Sequence, residues 1–334
     1  MLVRLFKKAS WYAPLLLILL AAPLWLGRFL DTAQAVPDIT ACSAPLFVLL
    51  GNFWKYHPLV GAIFAMTLLI IQAFSINYVA TSNAFTDRYS ALPGLIYLLL
   101  MSSSPEMISL NPILLANLFL IPAMNKLIDV HKEQQIAKEL FNSGFLIGLA
   151  SLFYYPALVI FLALIASVFI YYIVNFRRLI AAILGLITPF AFTLTYYFLI
   201  GELLSWYDEF AIIIKPLLIF ELETTLYQKI FIGGLALFSL LAFSHLQLVY
   251  KAAKPIRTRK RITLLFLFFL ISVSSYILAV GFAHLHYGLL NISLSIALAV
   301  YFFDMRYRKL TEILFAVLLI LVLVGRFAGN LLNG

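Results

Sequence analysis

The stretch RFLDTAQAVPDITACSAPLFVLLGNFWKYH, residues 28–57, is a polar island in a chain that is 64% hydrophobic. Arg28, Asp31, Thr32, Gln34, Asp38, Asn52, Lys55, Tyr56 and His57 gather here, between an apolar run over residues 11–27 and another over 59–80. Each flanking run is long enough for a helix to cross a bilayer, whose hydrocarbon core is about 30 Å thick. In hydrocarbon an unpaired backbone group costs several kcal/mol, so a spanning segment closes its hydrogen bonds internally as a helix or in a closed barrel. The runs here are continuous rather than alternating, which selects helices. A mean hydropathy of +1.04 with 11% charged residues cannot supply a wettable surface for 334 residues, so the expected fold class is an all-α, polytopic integral membrane protein forming a single membrane domain.

Outward from the island, the same reading gives about eleven spans. The first, over residues 11–27, follows Arg4, Lys7 and Lys8; it also resembles a secretory signal, with Ala33-Gln34-Ala35 in the form of a cleavage site, but the long separation from the apolar run favours an uncleaved helix. Residues 45–54 are apolar but too short to cross and read as an interfacial helix within the first external loop, 28–57. Two short pieces, 92–101 and 112–124, flank the polar break Ser102-Ser103-Ser104-Pro105-Glu106 and suggest a hairpin that dips in and returns. Residues 126–138 read as a polar, amphipathic helix. Spans follow over 140–155 and 156–174, around the break Tyr154-Tyr155-Pro156, and over 179–200, where Pro189 permits a kink. Gly144 and Gly148, four apart, let a neighbouring helix approach closely. A second larger external loop, 201–225, is acidic, and the last spans cover 226–250, 262–283, 287–303 and 310–332.

The charges orient these spans. With a cytoplasmic N-terminus, 18 of the chain's 23 Lys and Arg fall on inner segments, and only Arg28, Lys55, Lys215, Lys229 and Arg326 fall outside. The expected location is a bacterial cytoplasmic (inner) membrane, with the C-terminus external. The basic connector 251–261 and the net charge of +9 then reflect topology and contact with membrane lipids rather than nucleic acid.

Motifs exclude several function classes. The chain has no phosphate-cradling GxxxxGK[ST] or GxGxxG, no HExxH and no GxSxG. A single cysteine, Cys42, permits neither an internal disulfide nor a cysteine-based metal cluster, and no cofactor is called for. Ionisable groups are nearly absent from the span centres, which disfavours an ion-coupled transporter. What remains is a set of residues at the external boundary: Arg28, Asp31, Asp38, Lys55, His57, Glu106, His284, His286 and Arg326. His284 and His286, two apart in a tight connector, are suited to a lipid phosphate or a metal, or serve as interfacial anchors.

A first helix that stays uncleaved, an acidic residue in the first external loop, an interfacial helix before the second span and a run of short helices together resemble the GT-C superfamily of polytopic glycosyltransferases. The stretch from Asp87-Arg88-Tyr89-Ser90 through Asn142-Ser143-Gly144-Phe145 to Tyr154-Tyr155-Pro156 also resembles an uncharacterised family of Bacteroidota membrane proteins of about this length. The adjacent acidic pair common in GT-C enzymes is replaced here by Asp31 and Asp38, seven apart. The resemblance implies a polyprenyl-phosphate sugar donor used at the external face, with a loop carboxylate as base and cations on the departing phosphate. Carried to this chain, Asp31 is the first candidate base and Asp38 the second, and Arg28, Lys55, His57, His284, His286 and Arg326 are candidate substrate contacts. Two alternatives stay open: Asp31 as a helix cap or solvated loop charge, and the whole chain as a non-catalytic scaffold for envelope machinery.

Overall fold

The structure, a computed structural model, describes residue 6 and residues 13–30, 44–86, 90–130, 135–204, 226–275, 283–305 and 307–332. Among the described residues it is all-helical, without strands. The helices are α1 (Ala13–Leu30), α2 (Pro45–Tyr56), α3 (Pro58–Ser82), α4 (Leu92–Met101), α5 (Pro112–Asp129), α6 (Ile136–Ser151), α7 (Phe161–Ile170), α8 (Phe176–Leu199), α9 (Leu226–His245), α10 (Ile256–Ser274), α11 (Ala283–Asp304) and α12 (Arg308–Leu332). Among the described residues five helices are long and apolar enough to cross a membrane: Pro58–Ser82, Pro112–Asp129, Phe176–Leu199, Lys229–Tyr250 and His286–Asp304. Leu15–Leu26, Leu92–Met101 and Tyr155–Ile170 are apolar but shorter. This is a membrane protein by composition and helix length.

Local sequence sets the boundaries. His57 precedes Pro58, whose ring disfavours a helical residue before it, and His57 sits at φ −131°, ψ 65° between α2 and α3. Asn111 starts α5 by accepting the Leu114 N–H at 2.7 Å, and Asn175 starts α8 by accepting from Arg177 N–H at 2.9 Å. The expected break at Tyr154-Tyr155-Pro156 is present: α6 ends at Ser151 and a 3₁₀ stretch, Tyr155–Ile160, leads into α7. Helix α8 continues through Pro189.

Two expectations are corrected. Residues 126–138 do not make a helix of their own: Lys126 to Asp129 end α5 and Ile136 to Lys138 begin α6, held together by a Lys126–Glu139 ion pair at 2.6 Å. His286 does not lie in a tight connector, because α11 already begins at Ala283.

Lipid is as apolar as leucine, so these helices cohere through close packing and buried hydrogen bonds rather than through escape from water. The short helix α4 is wholly buried, and so is most of α11. Tyr97 on α4 donates to Gln72 Oε1 at 2.7 Å and accepts from Asn117 Nδ2 at 3.1 Å; Asn117 also donates to the Gly288 carbonyl at 3.0 Å, tying α3, α4, α5 and α11. Glycines supply the close packing. A Cβ on Gly144 would meet the Ala182 carbonyl, one on Gly148 the Leu186 carbonyl and one on Gly185 the Phe141 carbonyl. Because 144 opposes 182 and 148 opposes 186, α6 and α8 run parallel, and the small-residue spacing serves helix packing as the sequence suggested.

Helix contacts give the bundle two ends. One gathers the turn after α4, the start of α11 and the far part of α12; the other gathers Asn83, Asp129, Tyr171, Tyr250 and Arg261. At this second end Arg261 bonds Asp129 at 2.8 Å and the Asn83 carbonyl at 3.1 Å, while Tyr171 and Tyr250 donate to the Ile128 and Phe85 carbonyls. His245 pairs with Asp304 at 3.1 Å on the same side.

Candidate functional site at the Tyr287 end

The polar break Ser102-Ser103-Ser104-Pro105-Glu106 separates two apolar helices; Ser102 and Ser103 turn inward, and Glu106 is exposed. Ser102 accepts from the Trp25 indole at 3.3 Å, and Ser103 Oγ lies 3.1 Å from the Tyr287 hydroxyl. Ser104 stands near the same hydroxyl, its Oγ accepting from the Met107 N–H at 3.3 Å. Glu106 is close enough to act electrostatically on both Tyr287 and Arg326. Gly325 allows this approach, since a Cβ there would lie 2.7 Å from the Ser103 carbonyl oxygen. A carboxylate, a guanidinium, a phenol and two hydroxyls thus converge from the α4–α5 turn, α11 and α12.

Beneath this cluster an apolar cavity of about 250 Å³ lies between α9, α10 and α11. Leu235, Ala236 and Ser239 form one wall, Phe269 and Val273 a second, and Leu290 with the Tyr287 ring a third. Ile232 and Val273, which also line it, are themselves exposed, so the cavity opens on the apolar flank of the bundle. Tyr287 belongs to both parts: its ring walls the groove and its hydroxyl joins the polar cluster.

The sequence-derived residues are distributed unevenly around this arrangement. Arg326 is half-buried in it. Asp31 and Asp38 lie outside the described residues. Arg28 falls in the last turn of α1, Lys55 in the last turn of α2 and His284 in the first turn of α11. His57 is exposed at the α2–α3 bend.

His286 is fully buried and cannot meet a phosphate in this arrangement. Its Nδ1 lies 2.7 Å from the Tyr154 hydroxyl, and its Nε2 lies 2.9 Å from Ser275 Oγ and 3.3 Å from the Ser272 carbonyl. Ser275 gives its own hydrogen to the Ser272 carbonyl at 2.8 Å. A consistent assignment has Nε2–H donating to Ser275 and Tyr154 donating to Nδ1, which makes the ring a neutral cross-brace between α6, α10 and α11.

Tyr287, Ser103 and Ser104 were not singled out from sequence. The signal was present in the polar break between two short apolar pieces, but its partner at position 287 is distant in the chain. Among the described residues no three His, Cys, Asp or Glu side chains converge to hold a metal. No family model, no curated protein and no solved structure matches the chain.

Proposed function

We propose that this protein is an integral inner-membrane protein that takes the hydrocarbon chain of a lipid-linked substrate into the α9–α11 groove and holds its polar head at the Glu106–Tyr287–Arg326 cluster. The observation that carries this reading is the groove itself: it is apolar, opens on the flank of the bundle, and shares Tyr287 with a polar group that includes Ser103, Glu106 and Arg326. An apolar chamber with a few convergent polar groups is the usual form of a site for a lipid-like ligand. Following the resemblance to GT-C enzymes, the substrate is a polyprenyl-phosphate sugar, the chain crosses the membrane about eleven times with its N-terminus cytoplasmic, and the Tyr287 end is external. Arg326 then offsets charge on the departing phosphate and Asp31 removes the acceptor proton, with Asp38 as the second candidate.

The test separates lipid capture from chemistry. Lipids extracted from the purified protein are measured by mass spectrometry, and surface glycan is measured at matched membrane abundance. Ala236→Phe fills the groove and should remove co-purifying polyprenyl phosphate. Asp31→Asn keeps size and most capping ability, so it should retain lipid while lowering glycan formation by about 10² to 10⁴. Full glycan formation in both Asp31→Asn and Asp38→Asn would exclude either as the base. A second reading, the non-catalytic scaffold, is favoured by one feature: Gln72, Tyr97 and Asn117 bond one another and backbone, and His286 bonds Tyr154 and Ser275, within a filled core. It predicts that Ala236→Phe and both Asp variants leave glycan formation unchanged.

A further inference from the structure

The stretch 251–261, which joins α9 to α10 and includes the first turns of α10, carries Lys251, Lys254, Arg257, Arg259, Lys260 and Arg261. Arg261 is spent on Asp129, Lys126 pairs with Glu139 and His245 with Asp304. Among the described residues none of the remaining five cations of the connection pairs with a carboxylate. Their contacts are of another kind. Lys254 Nζ stands 4.3 Å from the Tyr250 ring centre and Lys260 Nζ 4.6 Å from that of Tyr172; Lys251 bonds Gln247, and Arg259 bonds the carbonyls of Lys254 and Ala252. The first turn of α10 holds no acid, so the positive end of its dipole adds to the repulsion among these charges.

Large apolar side chains are exposed among the cations. Tyr172 is 85% exposed, Phe176 79%, Leu248 76% and Ile256 73%. Tyr172 is held in this position by a backbone at φ 57°, a conformation unusual for a side chain of its size. A belt of this composition fits one environment. Apolar and aromatic groups enter the outer edge of the hydrocarbon while lysine and arginine stems extend to the headgroups above them. A nucleic acid or an acidic protein in water would neutralise the charges but leave these apolar groups wet.

We propose that Lys254, Arg257 and Lys260, with Tyr172 and Ile256 beside them, form a binding surface for the headgroups of anionic phospholipid in the leaflet at this end of the bundle. The surface is at the opposite end from the Tyr287 groove and independent of what that groove holds. Anionic headgroups replace the missing carboxylates, and the gain is about 1 kcal/mol per basic residue near the surface, which multiplies affinity roughly fivefold for each.

The experiment uses the full chain in nanodiscs of equal parts phosphatidylcholine and phosphatidylglycerol, with the lipids retained on release counted by native mass spectrometry. The triple variant Lys254→Gln, Arg257→Gln, Lys260→Gln removes no ion pair and should lower phosphatidylglycerol enrichment by at least about tenfold, more so at low salt. Lys229→Gln, near the start of α9 at the other end, should leave enrichment unchanged. Lys254→Arg with Lys260→Arg keeps the charge and should retain it. Equal enrichment in the triple variant and the parent overturns the proposal. So does an unchanged lipid count accompanied by loss of binding to polyglutamate or a duplex oligonucleotide, which would assign the cations to a soluble anionic partner.

Discussion

Replacing Gly185 by alanine tests the packing logic that holds the bundle together. The added methyl would stand against the Phe141 carbonyl, which belongs to the backbone of a neighbouring helix and cannot rotate away as a side chain can. Helices α6 and α8 must therefore separate, and their other close approaches, at Gly144 and Gly148, loosen with them. Overpacking of this kind costs about 1 to 3 kcal/mol, and the better helix propensity of alanine returns up to about 1 kcal/mol. The expected net destabilisation is about 1 to 2 kcal/mol, a factor of roughly 5 to 30 in the unfolding equilibrium. Gly233→Ala is the matched control, because nothing lies within 4 Å of a Cβ there. It should be neutral or gain a few tenths of a kcal/mol. Adding Gly144→Ala to Gly185→Ala should cost less than the sum of the two, since helices already parted for one methyl accommodate much of the other. Unfolding by denaturing detergent, followed by tryptophan fluorescence in one fixed host micelle, reads all four proteins. If Gly185→Ala unfolds at the same point as Gly233→Ala, the close α6–α8 crossing is not what secures this half of the bundle.

Tyr97→Phe deletes the hydroxyl between Gln72 and Asn117 and should cost about 1 kcal/mol in the same assay, a small value because hydrogen bonds within membranes average well under 2 kcal/mol. Arg261→Met strands the Asp129 carboxylate and the Asn83 carbonyl and should cost about 3 kcal/mol, whereas the double change with Asp129→Leu should recover part of it. His286→Phe removes the brace among Tyr154, Ser272 and Ser275 and should lower thermal stability by about 1 to 3 kcal/mol without changing the lipid that co-purifies. Arg326→Gln should show the reverse pattern, with stability nearly kept and any phosphate-bearing lipid lost.

Hydropathy made the helices legible and left their arrangement hidden, for a physical reason. A segment that faces lipid and one that faces protein are equally apolar, so α4, LPGLIYLLLM, reads like any exposed span although all of it is buried. Helix α8 has similar apolarity, yet most of it faces outward, Phe192 and Phe198 included. What distinguishes them is polar side chains aimed at partners far along the chain, such as Tyr97 with Gln72 and Asn117. Breaks set by local chemistry were legible: Pro58, Tyr154-Tyr155-Pro156 and the Gly144–Gly148 spacing all act as the sequence suggests. His286 was not, because two histidines lower local hydropathy whether they face water or, as His286 does, a tyrosine and a serine inside the bundle.

The same distinction separates the two ends of the molecule. At the Arg261 end Arg261 pairs with Asp129, Lys126 with Glu139 and His245 with Asp304, and further cations of the 251–261 stretch lie toward the surface. Such pairing fixes helix positions and leaves little to do chemistry. At the Tyr287 end a half-buried guanidinium and an exposed carboxylate stand near the Tyr287 hydroxyl and its serine neighbours, and Tyr287 also lines an apolar groove that opens sideways. Arg326 is half-buried beside this groove while Glu106 is exposed at its rim, and an ionisable group at the edge of an apolar groove is suited to meeting the polar head of a lipid-like ligand. Glu106 acts on Arg326 through space. An anionic headgroup entering with its chain along Leu235, Ala236 and Leu290 would be attracted by Arg326 and repelled by the Glu106 carboxylate. The Glu106→Gln variant should therefore bind such a lipid more tightly than the parent; weaker binding would place Glu106, rather than Arg326, at the headgroup.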